Sequence, residues 1–227
     1  MCGRFTLCVT LDELIVHYHL DDTTSFDYSP RFNISPSQMV SAVIHDGKRN
    51  RIGRLKWGLV PSWAKDEKTS ISNARSETLL AKPAFNVPFM RKRCLVPADG
   101  FYEWKKTTSG KQPMRIMLKS QKVFSLAGLY DTWISPEGRK VSSCTIITTS
   151  PNSLIADIHD RMPAILRPED EACWLNRDIL DPKLLLGLLQ PFPTGEMKAY
   201  PVSRLVGNAK NDVPECILED TDDNLQL

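Results

Sequence analysis

Eight short segments rich in branched and aromatic residues recur along this chain, at 4–9, 38–44, 52–60, 93–96, 101–105, 114–118, 124–132 and 141–148. Most are joined by gaps of hairpin length, and turn signals such as Asp46-Gly47, Ser109-Gly110 and Pro136-Glu137-Gly138 fall between them. No regular alternation of strand and crossover helix, as a parallel sheet requires, is present. The pattern predicts an α+β fold, mostly an antiparallel curled sheet or partial β-barrel flanked by short helices. Helices are predicted at 11–19, 74–81, 151–158, 168–175 and 181–189. The first opens with the capping pair Thr10 and Glu13, and the last two begin with a proline near the first turn.

A chain of 227 residues can bury one core, so a single domain over 1–218 is expected. Residues 219–227 hold four acids and no Lys or Arg, and are expected to form a disordered tail. Without those acids the body carries 29 basic and 23 acidic groups, a mildly basic balance that permits a polyanionic partner. The six cysteines show neither a CxxC pair nor a zinc spacing, so reduced thiols and no metal are expected. No signal peptide and no run of about 20 apolar residues is present, which predicts a cytosolic or nuclear protein.

Cys2 is the residue that most invites chemistry. Removal of Met1 would leave an amine and a thiol on one two-carbon unit. An α-amine has a pKa of about 7.7–8.0, against about 10.4 for Lys, so a usable fraction is unprotonated near neutrality. Such an amine forms an imine with an aldehyde, and the adjacent thiol can close on the same carbon to give a thiazolidine. The plainer alternative is a small apolar residue in an N-terminal strand.

Three further segments concentrate polar groups. Ser72-Asn73-Ala74-Arg75-Ser76-Glu77-Thr78 opens a predicted helix, where Asn73 either binds a polar ligand or is only an N-cap. Glu103 lies between aromatics in Gly100-Phe101-Tyr102-Glu103-Trp104, a setting that can raise a carboxyl pKa, although strand alternation alone would turn it to water. In Asp157-Ile158-His159-Asp160-Arg161-Met162-Pro163 a His and an Arg end a predicted helix, suited either to proton transfer and phosphate binding or to the helix dipole. Two basic runs, Lys48 to Lys56 and Arg91 to Arg93, together with Trp57, Trp63 and Trp104, suggest phosphates and stacked bases or merely a solvated face and a core.

Together, Met1-Cys2-Gly3-Arg4-Phe5, Asn33-Ile34-Ser35-Pro36, Trp57-Gly58-Leu59-Val60-Pro61, Asn73 to Thr78, Pro97 to Trp104 and Ile158 to Pro163 closely resemble the SOS-response-associated peptidase family of abasic-site-processing proteins. Asn208-Ala209-Lys210-Asn211 resembles that family's closing segment. The resemblance implies covalent capture of abasic single-stranded DNA by Cys2, with reversal of the adduct and release of Met1; no cofactor and a monomer are expected besides. Carried over by position, it implies that Asn73 orients the amine or the sugar, Glu103 transfers protons and His159 serves the sugar oxygen and imine step. It further implies Arg4, Arg75 and Arg161 as phosphate ligands, Pro36, Trp63 and Trp104 as surfaces for bases, and Thr148 as a small polar group near the site. A preference for single-strand/duplex junctions, with the Trp63 loop as wedge, follows from the same resemblance. Lys82-Pro83-Ala84-Phe85 lacks the Arg that many relatives carry there, and Trp63 stands alone where some have two, which bears on affinity. A non-covalent DNA reader and an N-terminal-nucleophile amidohydrolase are the competing classes.

Overall fold

The computed structural model describes residues 2–21, 23, 26–108, 110–120 and 122–220. Its strands are β1 (Phe5–Leu7), β2 (Arg31–Ile34), β3 (Met39–His45), β4 (Asn50–Trp57), β5 (Asn73–Arg75), β6 (Arg93–Ala98), β7 (Gly100–Thr107), β8 (Gly110–Leu118), β9 (Phe124–Ile134), β10 (Lys140–Thr149), β11 (Met162–Pro163), β12 (Ile165–Leu166) and β13 (Met197–Pro201). The α-helices are α1 (Leu11–Tyr18), α2 (Pro83–Arg91), α3 (Ser153–Ala156), α4 (Pro168–Leu175) and α5 (Pro182–Gly187).

One sheet runs β13-β8-β7-β1-β2 and is antiparallel throughout. In the second sheet β4, β3, β6, β9 and β10 pair in turn, and a short parallel contact of Ser143 with Lys56 and Cys144 with Trp57 brings β10 back to β4. The result is the partial barrel that the strand spacing predicts. A single core joins both sheets, with Phe5, Phe101 and Ile116 from the first packed among Leu95, Leu126 and Ile146 from the second. Phe5 meets Trp57 edge-on at 5.2 Å across that junction. No helix among the described residues is long and apolar enough to cross a membrane.

All eight predicted strands are present, and so is the capping box at Thr10, whose Oγ1 accepts from the Glu13 N–H at 3.2 Å while Glu13 Oε2 accepts from the Thr10 N–H at 2.8 Å. The helix predicted at 74–81 is not formed. Asn73–Arg75 is a strand, paired in parallel with Ile146–Thr148, and only Ser76–Thr78 turns, as a 3₁₀ helix. Without this pairing, buried Ile146–Thr148 would leave backbone groups unsatisfied, and meeting them outweighs the local helical preference. A helix appears just downstream, where Pro83 occupies the first turn of α2 and its fixed φ costs nothing. Helix α3 spans four residues, so His159 lies beyond its end rather than in its last turn. Glu219 and Asp220 are still tied to β13 by the Val202–Glu219 bridge and the Asp220 N–H to Pro201 O bond of 2.9 Å. The rest of the predicted tail, 221–227, lies outside the described residues.

Candidate active site and nucleic-acid interface

The register of β1 on β7 assembles the centre of the site. Phe5 pairs with Phe101, and the Tyr102 N–H donates to Arg4 O at 2.9 Å, so the residues before Phe5 run beside the outer half of β7. Along β7, Tyr102 faces a small cluster with Val202, Val206 and Cys216, and its hydroxyl donates to Phe32 O at 2.8 Å. Phe101 and Glu103 therefore share the opposite, core-facing side. Glu103 is 3% exposed, which overturns the water-facing alternative.

That burial pushes the Glu103 pKa up to about 7; the positive amino terminus offsets part of the effect and Asp160 adds to it. Glu103 Oε1 has no hydrogen-bond partner, while Oε2 lies 3.9 Å from His159 Nε2. Burial likewise holds His159 below its ordinary pKa, which keeps the ring neutral near pH 7. The Arg161 N–H donates to His159 Nδ1 at 3.0 Å, and exposed Asp160 places Oδ1 at 2.9 Å from the same nitrogen. The backbone donor, at a residue only 9% exposed, is the more constraining of the two, and the tautomer it selects carries the proton on Nε2, towards Glu103. Cys2 is fully buried, with Sγ 3.9 Å from Arg4 O. Burial first, and then the charge of Glu103, raise its thiol pKa well above the usual range.

The other expected residues fall into two further sets. On β5 and β10, Asn73 Nδ2 donates to Ile146 O at 3.4 Å, Arg75 is exposed opposite Thr148, and buried Thr148 accepts from Arg161 Nη2 through its carbonyl at 2.6 Å. The Arg161 backbone links this set to His159. Its guanidinium also grips Glu77 in a bidentate pair at 2.7 and 2.9 Å, so a phosphate would have to share or displace that carboxylate. Trp63 is 62% exposed on the loop after β4, and Pro36 sits in the turn before β3; among the described residues neither has a ring or hydrogen-bond contact with the Cys2 set.

Arg4 is already occupied. It donates to Asn33 Oδ1 at 2.8 Å, Val206 O at 2.7 Å and Gly207 O at 3.3 Å, and its guanidinium lies 6.0 Å from the Trp104 ring. Asn33 Nδ2 in turn donates to the carbonyls of Val206, Asn208 and Asn211. These contacts lock the closing segment against the start of the chain.

Side chains from each of the two basic runs are engaged within the protein. Arg51 pairs with Asp46, Lys56 with Glu67 and Lys92 with Asp131, while buried Arg93 donates to the carbonyls of Trp174, Phe89 and Met90. Trp57 is fully buried, a core residue and no base platform. What charge counting missed is the hairpin beyond Glu103. Lys106 and Lys111 line a cleft of about 760 Å³ together with Glu103, Trp104 and His159. Their nearness to Trp104 in sequence was the available signal. A larger concavity of about 1180 Å³ between α1 and α4 contains none of the expected site residues.

The Trp63 loop is held from below. Asp131 accepts from the Ser62 N–H at 2.8 Å and from Lys92 Nζ at 2.6 Å, and Trp133 Nε1 donates to Ala64 O at 2.7 Å. Gly58 enters this loop at φ +141°, with Ser70 Oγ where a Cβ would lie, so only glycine fits. Asp131→Ala is expected to accelerate amide exchange at 62–64 and to cost about 1–3 kcal/mol, the price of an unpaired buried donor; unchanged exchange would rule out the anchoring role.

Among the described residues no group of three or more His, Cys, Asp or Glu side chains could hold a metal, and all six cysteines are free. The site is thus a buried carboxyl and a histidine set against buried Cys2, in an α+β partial barrel that the chain's own first strand helps to build. The chain belongs to the SOS response associated peptidase (SRAP) family, whose model matches residues 1–209. It is 51% identical over 221 residues to the abasic site processing protein YoqW of Bacillus subtilis, covering 96% of this chain and 99% of that one. It is 34% identical to the abasic site processing protein HMCES of Xenopus tropicalis, covering 86% of this chain and 68% of its relative. A crystal structure of a Bacteroides thetaiotaomicron protein superposes with a TM-score of 0.84 at 29% identity, over 96% of this chain and 100% of that one.

Proposed function

We propose that this chain processes abasic sites in single-stranded DNA by covalent capture through Cys2. The observation that carries this reading is the burial of Glu103 beside Cys2, with His159 Nε2 at 3.9 Å from its carboxyl. The relatives' names, abasic site processing proteins, support the same chemistry.

Hydrolysis of the Met1–Cys2 peptide bond frees the Cys2 amine. The amine adds to the aldehyde of the ring-opened sugar, and loss of one water gives an imine. The thiol sulfur then bonds to the same carbon while its proton passes, through Glu103, to the imine nitrogen. The thiazolidine so closed contains sulfur, Cβ, Cα, nitrogen and the sugar carbon. Because its pKa is about 7, Glu103 can accept and return a proton at neutral pH. A neutral His159 with its proton on Nε2 assists the sugar oxygen, and Asn73 orients the reacting groups. Arg75, exposed on β5, faces a phosphate, Arg4 and Arg161 reach one by sharing or exchanging their present acceptors, Pro36, Trp63 and Trp104 lie around the splayed strand, and buried Thr148 positions Arg161 through its carbonyl. The adduct opens again by the reverse steps when water returns to the carbon.

Intact-mass spectrometry tests this directly. After incubation with a single-stranded oligonucleotide bearing one abasic site, the expected species is protein without Met1 plus DNA, less one water. Cys2→Ser is expected to give only a reversible imine. A heat-stable adduct with Cys2→Ala would refute the reading, and a processed protein that forms no adduct would favour a non-covalent reader.

A further inference from the structure

In the β7–β8 hairpin Lys106 stands directly opposite Lys111. Like charges facing one another across an antiparallel pair destabilise it, so the hairpin tip carries a repulsion that no packing need explains. Neither ammonium has a carboxylate within ion-pair distance among the described residues, unlike Lys56, Lys92 and Lys122, the lysines that do. Both lysines line the cleft that holds Glu103 and His159. Two-residue alternation puts Lys106 on the same side of β7 as Trp104, whose ring has Arg4 above it. Across the cleft stand the exposed acids Asp157 and Asp160. The cleft is therefore polarised, one wall cationic and the other anionic.

We infer that the Lys106–Lys111 pair is a phosphate-binding rail, along which the DNA strand runs on leaving the abasic nucleotide. This rests on the DNA reading above and extends it to residues that neither the basic runs nor the family motifs single out. A polyanion is drawn to the lysine wall and repelled from the Asp157/Asp160 wall, so the field fixes which side of the cleft the backbone takes. The bound phosphates relieve the repulsion across the hairpin, and the Trp104 ring offers the flanking base a stacking face.

The test is fluorescence anisotropy of an undamaged single-stranded oligonucleotide, titrated at several salt concentrations. Lys106→Gln combined with Lys111→Gln is expected to weaken binding about tenfold near 0.1 M salt and to lower the slope of log K against log salt by about 1.4, the value for two phosphate contacts on a single strand. Lys140→Gln with Lys198→Gln removes the same charge from exposed positions away from the cleft and is expected to leave the slope unchanged. A slope equal to wild type in the rail variant, or an equal loss in the control pair, overturns the inference. Absence of any adduct in the wild type would instead count against covalent capture, with the salt slopes still readable.

Discussion

Glu103→Gln is expected to slow adduct formation on abasic single-stranded DNA by about 10²–10⁴-fold, the usual contribution of a positioned acid–base group, while making the protein harder to unfold at alkaline pH. Both effects have one cause. Glu103 is buried with one carboxyl oxygen unpartnered, so its ionised form is costly in the folded chain and its pKa rises to about 7. A carboxyl whose folded pKa lies above its unfolded value near 4.3 binds its proton more tightly in the native state. The stability it contributes is complete below about pH 4 and is lost as the pH climbs towards and through 7. A neutral glutamine escapes that loss, which amounts to a few kcal/mol once Glu103 is fully ionised. Wild type and variant should therefore unfold at similar temperatures at pH 5, with the variant several degrees higher at pH 8.5. The wild-type adduct rate should bend near pH 7, and the variant should lack that inflection. Thermal melts at the two pH values and quenched-flow rates across pH 5.5–8.5 check this; a melting difference independent of pH would show that Glu103 is not a buried, proton-sharing carboxyl.

Arg115→Met is expected to destabilise the protein by about 3–5 kcal/mol, the cost of stranding one member of a buried ion pair. Asp99 and Arg115 are both nearly inaccessible, and they tie four elements together. Asp99 accepts from the Cys8 N–H at 2.6 Å, from the Thr6 hydroxyl and from Arg115 Nη2 at 3.3 Å. Arg115 Nη1 donates to the Tyr200 hydroxyl at 2.8 Å, which donates in turn to Ile217 O. The guanidinium passes so close to Gly100 that an added Cβ would lie 2.8 Å from Arg115 Nε. Since Cys2 lies three residues before β1, this network also fixes the strand from which the segment holding Cys2 and Arg4 runs beside β7. Melting should fall by about 6–20 °C. The double variant Asp99→Leu with Arg115→Met should lose less than the two single variants together, because no uncompensated charge remains. Strict additivity in that cycle would mean the pair is not coupled.

The strand plan was readable from sequence because turn chemistry and branched residues act locally: Gly47 and Gly138 take positive φ where the turns were placed, and Thr10 caps α1 as its spacing to Glu13 requires. The same local logic failed at Asn73–Arg75. A segment resembling a helix start became a strand because β10, seventy residues away, offers it a parallel partner. Nor could it show that Lys56, Lys92 and Arg93, in the basic runs, meet a carboxylate or carbonyls brought in by other parts of the chain.

The site divides in the same way. The residue types and their order, Cys2, Asn73, Glu103 and His159, stand in the sequence and carry the family resemblance, because chemistry needs particular functional groups whatever surrounds them. Whether Glu103 faced water or the core, which His159 nitrogen pointed at it, that Arg161 is held by Glu77, and that Lys106 opposes Lys111 beside the cleft were decided only by tertiary structure. Burial, charge pairing and cross-strand register are properties of groups far apart in the chain, and they acquire values only once β1, β7 and the segment around His159 have been brought together.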